Sequence, residues 1–238
     1  MPDLSIINYL KTKEVNIMKK LMILTAAFAV LFGLSALYAQ EDELKGIKVK
    51  KFPFYVYKDA FNKANHYIPS GWMGDYGDIK INARWKKKPK KGKTCFQIKY
   101  TAQRKQGAGW AGIYWQNPAN NWGTSKGGYN ISGAKKLFFY ARGEKGGETV
   151  EFKFGGITGQ YSDSASGTTG PIELTKKWKL YEIDLEDMDL SFIIGGFCVV
   201  FSGQQNPDGA TFYIDEVYYT DKTKPIGGKN KKSKKRKK

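Results

Sequence analysis

The sequence predicts an all-β fold, a single-domain β-sandwich or jelly roll, and three observations carry that prediction. Short runs rich in aromatic and β-branched residues alternate with clusters of Gly, Asn, Asp, Ser and Pro. Within the runs, apolar residues recur at every second position, the period of a strand with one buried face. Helical periodicity is almost absent over the same span. Several short strands with turn signals between them pack most readily as two face-to-face sheets.

In chain order, the predicted strands are FPFYVYK (52–58), TCFQIKYTA (94–102), AGIYWQ (111–116), KKLFFYAR (135–142), TVEFKFGG (149–156), KWKLYEIDL (177–185), FIIGGFCVVFS (192–202) and ATFYIDEVYY (210–219). The breaks GEKGGE and GQYSDSASGTTG read as connecting loops, and PSGWMGD as another. Alternation assigns faces. Leu137, Phe139 and Ala141 share one side of their strand, with Phe138, Tyr140 and Arg142 opposite. Val150, Phe152 and Phe154 point inward. One sheet face is then expected to carry Gln97, Lys99, Tyr140, Arg142, Glu151 and Lys153.

The two ends of the chain read differently from its body. Met18-Lys19-Lys20 leads into the apolar run LMILTAAFAVLFGLSALYA and then a polar EDE segment. A basic start, an apolar stretch and small residues before a cut after Ala39 make residues 18–39 a secretory signal peptide. The competing reading, an uncleaved anchor, is disfavoured because the run sits near the lower limit of about 17 residues for a spanning helix. Residues 1–17 read as a misassigned upstream start. Residues 40–220 form the predicted domain, exported to a periplasmic or extracellular site. Residues 221–238 form a Lys-rich tail of low complexity, read either as a solubilising segment or as a tether to an anionic envelope surface.

The net charge of +18 raises the question of nucleic acid. Ten basic residues lie between Lys222 and Lys238, and six lysines crowd between Lys86 and Lys93. The remaining body is close to neutral. Basicity confined to a tail and a loop is no nucleic-acid-binding face, so that partner is excluded. His66 is the only histidine, which rules out a multi-histidine zinc site. Cys95 and Cys198 are the only cysteines. Export permits a disulfide between them, and two buried free thiols is the equal alternative.

The pieces NHYIPSGWMGD (65–75), GWAGIYWQNPANNWG (109–123), ISGAKKLFFYARGEKGGE (131–148) and ATFYIDEVYY (210–219) resemble secreted jelly-roll domains of the galactose-binding-like type. That is the architecture of many carbohydrate-binding modules. The resemblance implies polysaccharide or glycan binding without catalysis. It also implies a structural calcium, with Asp215 on the last strand and Asp59 near the first as ligands. Calcium needs six to eight oxygen ligands, so backbone carbonyls would have to complete such a set.

Sugars present apolar C–H faces and polar rims, which binding proteins meet with flat aromatic rings beside amides and charges. The stretch 109–123 supplies both. Ile113, a β-branched aliphatic, marks the core side there, so Ala111 and Trp115 fall on its side, with Tyr114 and Gln116 opposite. Trp115 is thus expected in the core. The binding candidates are Trp110, Tyr114 and Trp122 with Asn121, then Trp72, Tyr140 and Arg142. Glu182-Ile183-Asp184-Leu185-Glu186 matches the E-x-D-x-E strand of family 16 glycoside hydrolases. By that resemblance Glu182 is a nucleophile and Glu186 an acid/base, flanking Asp184, in a retaining endo-β-glucanase. A structural envelope protein without a small ligand is the third reading.

Overall fold

The computed structural model describes residues 46–226. The segments read as an upstream start, a signal peptide and most of the lysine-rich tail lie outside the described residues.

The strands are β1 (Ile47–Lys48), β2 (Phe54–Tyr57), β3 (Ile68–Gly74), β4 (Ile79–Trp85), β5 (Cys95–Tyr100), β6 (Trp110–Gln116), β7 (Tyr129–Asn130), β8 (Lys136–Gly143), β9 (Thr149–Gly155), β10 (Ser166–Glu173), β11 (Lys179–Asp184), β12 (Gly195–Ser202) and β13 (Ala210–Thr220). One sheet has five strands in the order β10-β9-β12-β6-β3. The other runs β11-β8-β13-β5-β4, with β2 added along the far half of β13. Both are antiparallel throughout. β1 and β7 form a small parallel pair. The predicted β-sandwich is what forms.

The core lies between the two sheets. Phe96, Ile98, Phe139, Phe212 and Ile214 face Ile113, Trp115, Phe152, Phe197 and Val199 across the gap. Trp115 bridges the layers, its ring 5.0 Å from Phe96 of one sheet and 5.5 Å from Phe197 of the other. Edge-on and tilted contacts of this kind suit the ring quadrupole and add to the burial itself.

Each of the eight predicted runs supplies a strand. Two segments expected to be loops also pair: IPSGWMG forms β3, and SGTTGPIE, which begins inside GQYSDSASGTTG, forms β10. Both are edge strands of the five-stranded sheet. An edge needs hydrogen bonds on one side only, so Pro69 and Pro171 are tolerated, each beside a register shift.

Alternation assigned faces correctly but not sheets. Gln97, Lys99, Tyr140 and Arg142 lie on the outer side of the six-stranded sheet, whereas Glu151 and Lys153 belong to β9 in the other sheet. The expectation of one shared face is therefore corrected: period-two patterning says which side of a strand is buried and nothing about which sheet the strand joins.

Candidate functional site

β6 is inserted between β12 and the edge strand β3, so its outward side chains have a strand on either side of them. Trp110, Gly112 and Tyr114 point out, with Ser202, Val200 and Cys198 as their register partners on β12. Ala111, Ile113 and Trp115 point in and are buried, as alternation required. Trp110, Tyr114, Cys198 and Val200 line an open groove of about 300 Å³ with Met73 and Lys153. Gly112 keeps its floor low, because a Cβ there would meet the Met73 methyl at 2.8 Å.

Trp110 is 39 % exposed, and its backbone is pinned by hydrogen bonds. Its carbonyl accepts the Asp75 N–H at 2.7 Å. The buried Asp75 carboxylate in turn accepts the N–H groups of Gln106, Ala108 and Gly109, fixing the turn that delivers Trp110. Burial alone would raise the pKa of Asp75. Those three N–H donors, helped by Arg104, more than offset it and hold the carboxyl below its usual range.

Tyr114 is 9 % exposed and lends the groove its ring only, since its hydroxyl donates to the Gly155 carbonyl at 2.9 Å. Trp122 comes from the loop after β6 and meets Tyr114 edge-on, centroids 5.9 Å apart at 85°. Its indole N–H is taken by Asn120 Oδ1 at 3.1 Å. Asn121 is buried and shapes this loop. Its Oδ1 accepts from the N–H groups of Gly123, Thr124 and Ser125, and its Nδ2 donates to the Ser125 carbonyl. With its amide committed inside the loop, Asn121 is a positioning residue for Trp122 and not a ligand contact.

A second loop supports the first. The Tyr161 N–H donates to the Gly123 carbonyl at 2.9 Å, and Gly123, at φ 78°, sits so close that a Cβ would overlap the Thr158 carbonyl. Asp163 anchors this second loop by accepting from Ile157, Ile194 and Gly195. Burial pushes Asp163 up to about 6 against the pull of those bonds. Polar groups border the groove on the β9 side: Lys153 pairs with Glu151 at 3.4 Å, and Thr168 donates to Glu151 at 2.6 Å.

The remaining candidates lie elsewhere. Trp72 is registered opposite the core-facing Ile113, which places it on the inner side of an edge strand, 38 % exposed at the rim. Tyr140 and Arg142 are on the opposite face of the sandwich, where Lys90 covers the Tyr140 ring and the Arg142 guanidinium stacks 3.7 Å over Tyr213. The structure thus brings Trp110, Tyr114 and Trp122 together and separates Trp72, Tyr140 and Arg142 from them. Met73 and Asp75 were not anticipated, and Lys153, expected on an outward face, was not among the named binding candidates. Alternation along IPSGWMG would have flagged Met73, but nothing local marks Asp75.

The E-x-D-x-E strand makes no acid/base pair. Glu182 and Asp184 are exposed on edge strand β11 and share one cation, Lys136 Nζ, at 3.1 and 3.0 Å. The Glu186 N–H and the Lys136 ammonium hold Asp184 below its usual pKa. Glu186 itself lies past the strand end, in a turn. Two carboxylates bridged by one lysine on an open edge strand, with the third past the strand end, are not the facing pair that glycoside hydrolysis needs.

Asp59 and Asp215 do not fit a calcium cage. A register shift near the end of β13 turns both Asp215 and Glu216 outward toward the lysine-rich loop. Asp215 Oδ2 accepts from the Lys90 and Lys91 N–H groups and its Oδ1 from Glu216, while Glu216 pairs with the Lys91 ammonium at 3.2 Å. Asp59 Oδ1 accepts from the Lys93 and Thr94 N–H groups and the Thr94 hydroxyl. Donors aimed at these oxygens direct positive charge to the side a cation would occupy. No group of three or more acidic, histidine or cysteine side chains among the described residues is arranged to hold a metal. The two acids clamp the Lys86–Lys93 loop instead. A chelator should therefore leave the melting temperature unchanged, whereas Asp215→Ala should cost about 1 kcal/mol or more by taking the acceptor from the Lys90, Lys91 and Glu216 N–H groups. A melting curve that drops on chelation would restore the ion.

Cys95 and Cys198 are both free and buried, on the outer sides of different sheets. Burial pushes the Cys95 thiol up to about 12 and raises Cys198 as well. They are inert packing groups, the second of the two readings.

Two packed antiparallel sheets with an aromatic groove across one outer face make a jelly-roll β-sandwich with a surface suited to a ring-stacking ligand. The profile of carbohydrate binding domain 30 matches residues 59–221, and the chain belongs to that family. Its function is carbohydrate binding without catalysis. A solved family 30 carbohydrate-binding module shares the fold with a TM-score of 0.51 at 15 % identity, covering 75 % of this chain and 92 % of that one. The family 30 module of a cellulosomal cellulase of Clostridium thermocellum gives a TM-score of 0.48 at 16 % identity, over 73 % of this chain and all of its own. A family 11 module from the same organism gives 0.43 at 15 % identity, over 68 % and 92 %. No curated protein sequence matched.

Proposed function

We propose that a neutral polysaccharide chain lies across the outer face of the five-stranded sheet, against Trp110, Tyr114 and Trp122. The supporting observation is that Trp110 and Tyr114 line one open groove and that Trp122, from the loop after β6, packs edge-on against Tyr114, with the first ring fixed by Asp75 and the last by Asn121. Rings supply the C–H contacts, while Lys153, Glu151 and Thr168 stand within the same face for hydroxyls. Export by the 18–39 segment is part of this reading, because such a ligand is met outside the cell. Affinity electrophoresis through gels cast with neutral β-glucans and mannans tests it. Retardation by at least one of them, unchanged in Glu182→Gln, is expected, with no reducing ends released. Release of reducing ends that Glu182→Gln stops would return the chain to the hydrolases.

The lysine-rich segment is assigned, within the same proposal, to holding the module on an anionic envelope surface. A chain ending at Ile226 should lose retention on anionic lipid vesicles, and the full chain should lose it progressively with salt, since exposed charges are screened over about 8 Å at physiological ionic strength. Salt-independent retention, or full retention by the shortened chain, contradicts the tether.

A further inference from the structure

The opposite face of the sandwich carries a second groove, of about 530 Å³, walled by Trp85, Trp178 and Tyr213. That volume falls in the roughly 300–1,000 Å³ range of small-ligand sites. Its construction is specific. The Trp178 indole N–H donates to the Lys88 carbonyl at 3.0 Å, fastening the lysine-rich loop to the start of β11. Trp85 and Tyr213 lean together, centroids 5.9 Å apart. Arg142 lies between Tyr213, at 3.7 Å, and Trp178, at 5.4 Å.

The charge of this groove is one-sided. Lys87, Lys88, Lys176 and Lys177 line it together with Arg142, and the only acid among its walls is Glu144. Glu144 is itself consumed, accepting the Tyr213 hydroxyl at 2.7 Å and lying 3.5 Å from Arg142 Nη1. Two donors at the walls, Arg142 Nε and the Trp85 indole N–H, are buried without a hydrogen-bond partner. Arg142 is 8 % exposed, a nearly buried cation whose guanidinium is only partly satisfied. Buried donors of this kind call for an acceptor, and an excess of cations calls for that acceptor to be anionic.

From this geometry we propose that the groove is a second glycan site, taking an acidic polysaccharide whose sugars bear carboxylates, such as a uronate chain. The aromatic walls meet the C–H faces of the rings. Arg142 and the flanking lysines meet the carboxylates, and the planar guanidinium suits a carboxylate better than a lone ammonium does. A neutral sugar would leave the cations without counter-charge, so it is held on the other face. The two sites therefore sort glycans by charge, each on its own sheet.

Binding of an oligogalacturonide and of a neutral gluco-oligosaccharide to the full chain, followed by calorimetry at physiological salt, tests this. Trp178→Ala should weaken the oligogalacturonide about tenfold or more and leave the neutral ligand unaffected. Exposed Lys87→Gln with Lys176→Gln should do the same, and serves if Trp178→Ala fails to fold. Trp110→Ala should show the reverse pattern, so failure of either site is seen separately. Trp178→Ala changes no charge. Unaltered oligogalacturonide binding by that variant would show that scattered lysines and the tail act as a polycation, and overturns the proposal. So does absence of oligogalacturonide binding by the wild type, or equal loss of dextran sulfate and oligogalacturonide only when lysines are removed.

Discussion

Trp110→Ala should abolish retardation in a polysaccharide gel while leaving the protein folded. Truncating a ring at a binding hot spot commonly costs upwards of about 2 kcal/mol, roughly thirty-fold in dissociation constant. Trp110 is suited to such a role because its backbone is fixed by Asp75 and its ring is 39 % exposed over the groove. Trp110 lies outside the buried core clusters, so the denaturation midpoint should move far less than for a core ring. A folded Trp110→Ala protein that is retarded like the wild type would take this ring out of the binding face.

Five residues on, Trp115→Ala should do the opposite. Trp115 is 1 % exposed and wedged between Phe96 and Phe197. Removing it leaves a cavity that two hydrogen-bonded sheets cannot close, for a loss of about 3–5 kcal/mol. That is a large fraction of the stability of a domain this size. Urea unfolding reads it directly, and a loss under about 1 kcal/mol would mean the sheets collapse into the gap. Ligand affinity should survive wherever the variant is still folded, because the ring points away from the groove. Two tryptophans on one strand thus divide between function and fold according to parity.

That division was legible in the sequence. Anchoring the alternation on Ile113 sent Trp115 inward and Tyr114 outward, and the structure agrees. Long, apolar, central strands such as β12 and β13 announced themselves because both their ladders and their faces are constrained. The edge strands β3 and β10 did not, since an edge tolerates the prolines and glycines that mark turns elsewhere. Face-to-sheet assignment also failed, as with Glu151 and Lys153, because pairing between distant strands leaves no trace in local periodicity. The clamps were the least visible. Asp75, Asn121 and Asp215 act by accepting backbone N–H groups up to 125 residues away in sequence, and an isolated acid or amide reads the same whether it holds a loop, a metal or nothing. The calcium expected at Asp215 came from the family resemblance, and the local sequence offered nothing to weigh it against.

The six tryptophans supply the most direct measurement. Each indole N–H gives its own cross-peak in a nitrogen-15 correlation spectrum, and the rings are distributed over both faces, the core and the rim. Titration with a neutral oligosaccharide is predicted to shift the peaks of Trp110 and Trp122 first and furthest, with those of Trp85, Trp115 and Trp178 unmoved. Shifts centred on Trp85 and Trp178 with Trp110 and Trp122 silent would contradict the assignment of neutral glycan binding to the five-stranded sheet.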